Sequence, residues 1–198
     1  MKLNIYTLRE AKILGGQTEE TQIETTPLCD NCTLREERFT KIVHEFSDYD
    51  GEDFFQGLGN NMFIISSRLI KREIKGFELL PIIKKHKKNK YAIFDKKKFK
   101  STEFFHLNII GKAKSKAEMW KYTDCDQNCG KQKWTYTEKW LVEGDNEYER
   151  QVFEDSWNGD DIFFLDEPGN PVITENLLQI LEEFEVKDLD LIPAHWVD

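Results

Sequence analysis

Leu3-Asn4-Ile5-Tyr6-Thr7-Leu8 reads as an alternation of apolar and polar side chains, which suits a strand. From Ala11 to Pro27 the alternation gives way to Thr, Glu and the Gly15-Gly16 pair, which predicts a polar arm. Thr40 to Phe46 reads as a strand again. Ser47 to Asn61 reads as an acidic, Gly-containing connection around Phe54-Phe55. The apolar run Met62-Phe63-Ile64-Ile65 ends at Ser66, whose hydroxyl suits a helix N-cap. The spacing then predicts a helix over 67–75, with Leu69, Ile70 and Ile74 inward and a stop at Gly76. Phe77 to Ile82 reads as the next strand, with Pro81 marking an edge or a strand end, and Phe104 to Ile110 as another.

This pattern recurs near the other end of the chain. Ile64-Ile65-Ser66 corresponds to Val172-Ile173-Thr174, and Leu69-Ile70 to Leu177-Leu178, both at an offset of 108. Phe77-Glu78-Leu79-Leu80-Pro81 corresponds to Leu189-Asp190-Leu191-Ile192-Pro193 after a four-residue insertion. The repeat spans 53–82 and 161–194, and in the second copy Thr174 is predicted to cap a helix reaching about Glu185.

Between the copies, Met119 to Thr123 and Lys133 to Trp140 alternate cleanly. Trp120 and Tyr122 share one face, and Trp134, Tyr136 and Trp140 another, so the stretch 117–142 predicts a β-hairpin. Such an aromatic stripe serves either as core or as a stacking platform for single-stranded bases. The hairpin's turn holds Cys125 and Cys129, and the only other cysteines are Cys29 and Cys32. Two close thiol pairs can surround one tetrahedral zinc ion, so Cys29, Cys32, Cys125 and Cys129 are the candidate ligands of a structural zinc site. Thiols that are simply reduced, or a redox dithiol, are the competing readings. Four thiolates leave no open position for catalysis.

Composition limits the function classes. Charged residues are 33% of the chain, but 14 Phe and 5 Trp supply enough apolar area for a folded domain. No stretch approaches the length of a membrane span and no signal peptide opens the chain, so a cytoplasmic location and no membrane partner are expected. The charge is −9 overall and unevenly spread. Nine lysines fall between Lys84 and Lys100, whereas Glu143 to Asp198 holds seventeen acids against Arg150 and Lys187. The acidic portion is the candidate surface for a basic partner, with Glu143, Asp145, Glu147, Glu149, Asp160 and Asp161 as its leading residues. A zinc-ribbon nucleic-acid binder using the lysine segment and the aromatic hairpin is the alternative, and the overall acidity argues against it. Asp48-Tyr49-Asp50-Gly51-Glu52-Asp53 lacks the full spacing of a calcium loop. The histidines His44, His86, His106 and His195 are scattered, and no constellation supports a reaction class, so no enzyme is expected.

The order of these features resembles a known family. Cys-x-x-Cys comes first, then the apolar strand with Ser66 and Phe-Glu-Leu-Leu-Pro, then the second cysteine pair followed by Gly130. Trp157-Asn-Gly-Asp-Asp-Ile-Phe163 and the Thr174-capped segment ending in Leu-Asp-Leu-Ile-Pro follow. From about Thr26 to Trp196 this resembles the bacterial double-CXXCG motif proteins. Thr33 follows the first pair where the motif has Gly, and the second pair encloses three residues instead of two. The strand-helix-strand unit is also similar to that of immunity proteins paired with polymorphic toxins. The resemblance implies a binding protein that neutralises a cognate toxin. The expected fold is α+β, a single domain of residues 1–198. In it, two similar strand-helix-strand lobes with antiparallel sheet flank a zinc-ribbon-like β-hairpin.

Overall fold

Strands dominate the protein. A computed structural model describes residues 3–27, 35–58, 62–124, 132–143 and 148–198. It is 49% strand and 15% helix, which places it among mostly-β proteins. In chain order the first strands are β1 (Ile5–Glu10), β2 (Ile13–Gln17), β3 (Gln22–Pro27), β4 (Arg35–Phe46), β5 (Phe54–Leu58), β6 (Phe63–Ser66), β7 (Phe77–His86) and β8 (Phe104–Ile109). They continue with β9 (Lys112–Ala113), β10 (Trp120–Asp124), β11 (Gln132–Tyr136), β12 (Gln151–Phe153), β13 (Ile162–Leu165), β14 (Val172–Thr174) and β15 (Asp190–Val197). The helices are α1 (Lys96–Ser101), α2 (Glu138–Glu143) and α3 (Glu175–Glu183), with 3-10 turns at Leu69–Lys71 and Glu154–Ser156.

Two rings of six strands organise these elements. In the first, β2, β5, β6, β8, β7 and β4 join in that order, and β4 pairs again with β2 to close a barrel. In the second, the order is β9, β13, β14, β1, β15 and β12, and a bridge between Ser115 and Val152 joins the two ends. The rings match neighbour for neighbour, including the direction of every pairing. Phe105 of β8 faces Ile65 and Pro81, and Tyr6 of β1 faces Ile173 and Pro193. The hydrogen bonds match as well: the Ser67 amide donates to the Glu103 carbonyl at 2.8 Å, and the Glu175 amide to Asn4 at 2.8 Å.

The match exposes an exchange. In chain order, β1 corresponds to β8, yet β1 stands in the second ring and β8 in the first. Each half of the chain therefore contributes its opening strand to the other half's barrel. Apolar alternation on these strands serves two cores at once. In the first ring Phe55, Met62, Ile64 and Phe104 point inward with Leu14, Ile42, Phe46, Tyr49 and Phe99. In the second, Ile5, Phe163 and Val172 point inward with Ala113, Val152, Leu165 and Ala194. The opposite faces, Phe54, Phe63, Ile65 and Leu107 from one ring and Leu8, Ile162 and Ile173 from the other, meet in a third cluster capped by Leu69, Leu177 and Leu181.

The fold is thus not the α+β pair of strand-helix-strand lobes that the sequence suggested. The element after Ser66 shows why. Ser66 Oγ accepts from the Arg68 and Leu69 amides at 3.1 and 3.4 Å, so a turn does start there. It lasts only Leu69–Lys71 instead of 67–75. Beyond it, the Lys75 backbone is engaged by the other half: its amide donates to Asp161 Oδ2 at 3.0 Å and its carbonyl accepts from the Asp161 amide at 3.0 Å. A helix reaching Lys75 would withdraw that amide into its own last turn. The equivalent Thr174 caps a real helix, α3, by accepting from the Leu177 amide at 3.4 Å, with Leu177 and Leu181 buried.

Four further differences follow. The arm expected over 11–27 contains β2 and β3. Trp140 lies on α2, not on the hairpin strand, and α1 interrupts the lysine-rich segment. Pro81 is not on a sheet edge. Pairing of β7 with β4 begins one residue later at Ile82, so the missing amide of Pro81 leaves no gap in that ladder. Pro193 repeats this beside β12, whose pairing with β15 begins at His195.

Candidate functional site

Two ribbons carry the cysteine segments. β3 and β4 pair antiparallel as far as Pro27↔Arg35, and β10 and β11 as far as Asp124↔Gln132. By sequence, Cys29 and Cys32 follow the first of these rungs and Cys125 and Cys129 the second; all four lie outside the described residues. Among the described residues no group of three or more His, Cys, Asp or Glu side chains could hold a metal ion. On the second ribbon three of the aromatic side chains pack on one another. Tyr136 stands between Trp120 and Trp140, with ring centroids 4.4 and 3.8 Å away.

The acids chosen from sequence are scattered. Asp145 and Glu147 lie outside the described residues, and of Glu143 only the backbone, at the end of α2, is described. Glu149 is exposed, its Oε2 2.6 Å from His195 Nε2. Asp160 is half-buried, and its carbonyl accepts from Trp157 Nε1 at 2.9 Å. Asp161 is buried, accepting from Thr174 Oγ1 at 3.1 Å and from the Lys75 amide. It is the counterpart of Asp53, whose carboxylate accepts from Ser66 Oγ in the first ring. Asp161 therefore fastens the end of a strand and presents no carboxylate to a partner.

The structure instead assembles acids that are far apart in sequence. The connection leaving β4 supplies Asp48, Asp50, Glu52 and Asp53. The connection after α3 supplies Glu185 and Asp188, which adopt positive φ angles of 54° and 58°. Together they line a cleft of about 360 Å³, with Lys12, Lys187 and the apolar Phe54, Ile93, Phe184 and Val186. Lys12 hydrogen-bonds Glu52. Burial pushes the Glu52 carboxyl up, but the bonds from Lys12 and from the Asp50 amide outweigh it and hold the group below its ordinary value. For Lys12, burial acts downward and the same carboxylate outweighs it, leaving the ammonium above its ordinary value. Asp53 is bound by Arg68 Nε at 2.9 Å. Six carboxylates against two lysines leave the lining negative.

The sequence marked the 48–53 segment as acidic only in asking whether it binds calcium, and nothing along the chain linked it to 185–188. The tether is internal: Tyr49 is fully buried between Asp48 and Asp50, and its amide donates to the Ile93 carbonyl at 3.0 Å. Much of the lysine segment opposite is already engaged. Lys84 Nζ closes the end of α1 by donating to the Lys100 and Thr102 carbonyls at 3.1 and 2.6 Å. Lys85 pairs with Glu20, and Lys98 reaches Asp50 and Asp95 at 3.9 and 3.8 Å.

Two histidines are internal. His44 Nε2 lies 2.7 Å from the Leu14 carbonyl and His106 Nδ1 3.2 Å from that of Phe63. Burial holds both imidazoles below their ordinary value, so they are neutral barrel-wall groups. No described helix is long and apolar enough to cross a membrane. No protein-family profile matches the chain, and no curated protein shows significant similarity to it.

Proposed function

We propose that the protein is a binding protein of the immunity type, which neutralises a cognate bacterial toxin by direct association. The acidic cleft carries this reading: Asp48, Asp50, Glu52, Glu185 and Asp188 come from both rings and meet over an apolar floor. Such an arrangement steers a basic protein surface and gives it something to bury once docked. The order of motifs, which resembles that of the double-CXXCG proteins, points the same way. Neutralisation would be by occlusion of a basic functional surface on the toxin.

The test is to look for a toxin-domain gene beside its own and to co-produce the two proteins. Growth should be restored and a stable complex recovered. Growth arrest with no complex would sink the proposal. With that complex in hand, Asp50→Lys combined with Asp188→Lys should slow association by about tenfold at low salt and flatten its salt dependence, leaving dissociation nearly unchanged. Stopped-flow rates indifferent to the two reversals would remove the cleft from the interface.

The cysteines belong to the same proposal as a structural element. Four thiols have the donor chemistry of a closed zinc site, and Cys29, Cys32, Cys125 and Cys129 would hold the ion. Each pair follows the last described rung of a ribbon, one ribbon from each half of the chain, so the ion would tie the halves together. Elemental analysis of protein purified without chelator should give about one zinc per chain. A ratio near zero would refute the site.

A further inference from the structure

The first ring carries a strand that it does not need for closure. β3 lies outside the barrel and among the described residues pairs only with β4, so its other edge is the end of the seven-stranded sheet. All six of its residues, Gln22 to Pro27, are exposed. Among the described residues, no hydrogen bond reaches this outer edge. Along an edge strand every second residue turns its N–H and C=O outward, which makes a ready template for another extended chain. Its centre is open: there is no Lys, the single Pro stands at the end, and the register shift lies at the start, between Gln22 and Ile23.

We propose that β3 is a docking edge that accepts an extended, basic segment of a partner protein by strand addition. The unpaired backbone groups specify an extended chain, because only a strand can satisfy a row of alternating donors and acceptors. The side chains specify its charge. β3 itself carries one charge, that of Glu24, and no basic residue, and Glu20 in the turn before it already pairs with Lys85. The cations of the ribbon, Arg35, Arg38 and Lys41, are on β4, one strand further in, with Arg38 opposite Glu24 and Lys41 opposite Gln22. An incoming strand with Lys or Arg beside Glu24 and β-branched residues beside Ile23 and Thr25 complements the edge. A second copy of the chain fits worse. β3 has no Lys or Arg to set beside Glu24, and in the five-rung antiparallel registers, which pair Glu24 with Glu24 or with Thr26, the two carboxylates share a face and repel.

This deepens the binding reading and rests on it for the basic character of the partner. Its test, however, uses no toxin, so failed neutralisation and a failed edge are separate results. The probe is a fluorescent peptide of about nine residues alternating Lys with Val and Thr, offered to the full chain. Bound peptide should slow hydrogen exchange of the outward amides of 22–27 by about tenfold. A peptide N-methylated along one edge should not bind, nor should one with Glu in place of Lys. Glu24→Lys should weaken binding of the basic peptide by about fivefold without changing the melting temperature. Three results overturn the proposal. One is unchanged exchange at 22–27. Another is equal binding of the N-methylated peptide, which would place attraction in side chains alone, as at the acidic cleft. The third is protection that grows with protein concentration without peptide, which would assign the edge to a second copy.

Discussion

A chain lacking residues 1–10 is expected to lose its cooperative unfolding transition altogether. The strand removed is not peripheral. β1 lies between β14 and β15, pairing with Val172–Thr174 on one side and with residues 190–194 on the other. Ile5 and Leu8 are 1% and 0% exposed, and they serve different cores, the second ring's interior and the shared cluster. Burial of side chains this size contributes about 1.5–3 kcal/mol each. The deletion also strands the sheet edges of β14 and β15, the Glu175 amide that donates to Asn4, and the Trp196 indole that donates to the Leu3 carbonyl at 2.7 Å. Together these approach a whole domain's net stability of about 5–15 kcal/mol. Because the shared cluster joins the rings, the damage should reach the first barrel as well. Circular dichroism and dye binding during a thermal scan check this. A sharp melt within a few degrees of the full chain would show that the second ring closes without β1.

This exchange of strands marks the limit of what could be read along the chain. The apolar runs at 62–65 and 172–174 are conspicuous because both faces of those strands are buried, one in a ring and one in the shared cluster. β1 and β8 give no comparable signal. Ile5 and Tyr6 correspond to Phe104 and Phe105, Thr7 to His106, and only Leu8 and Leu107 are the same residue type. β3 was read as an arm for a related reason. It packs on neither face, so no period of two is imposed on it. Ser66 and Thr174 look alike as caps, yet one starts a 3-10 turn and the other a helix. The difference is tertiary, since the Lys75 backbone is claimed by Asp161 from the other half.

The same physics governs the candidate site. The acids nearest in sequence, Asp160 and Asp161, are drawn into the fold because strand ends and capped turns need acceptors. Those that meet across the cleft come from connections whose backbones are held by other means. Charge counted along the chain therefore pointed to 143–161, and charge counted in space points to 48–53 with 185–188. The acidic portion of the sequence contributes two of the cleft's six carboxylates.

Phe104→Ala should lower stability by about 3–5 kcal/mol, the largest loss expected of any single substitution in the first ring. Phe104 is 2% exposed, and its ring lies 4.9, 5.3 and 5.7 Å from those of Phe46, Tyr49 and Phe55. Aromatic pairs of this kind contribute about 0.5–1.5 kcal/mol each beyond the area they bury. The cavity left behind would be walled by rigid rings on barrel strands, so it should relax little. Its counterpart Ile5 lies in a different cluster, with Ala113, Val152, Phe163, Leu165, Val172 and Ala194. Phe104→Ile, which imports the counterpart residue, should still be destabilising, because the smaller side chain leaves a void among the rings of Phe46, Tyr49 and Phe55. Urea unfolding with an unchanged m-value checks both variants, and a loss under about 1 kcal/mol for Phe104→Ala would contradict the packing argument. The consequence extends to binding. Tyr49 sits between Asp48 and Asp50 and is buried against Phe104, so the core holds the acidic connection in place. In Phe104→Ala, amides 48–52 should exchange faster and association with a basic partner should weaken even though no charge has been altered.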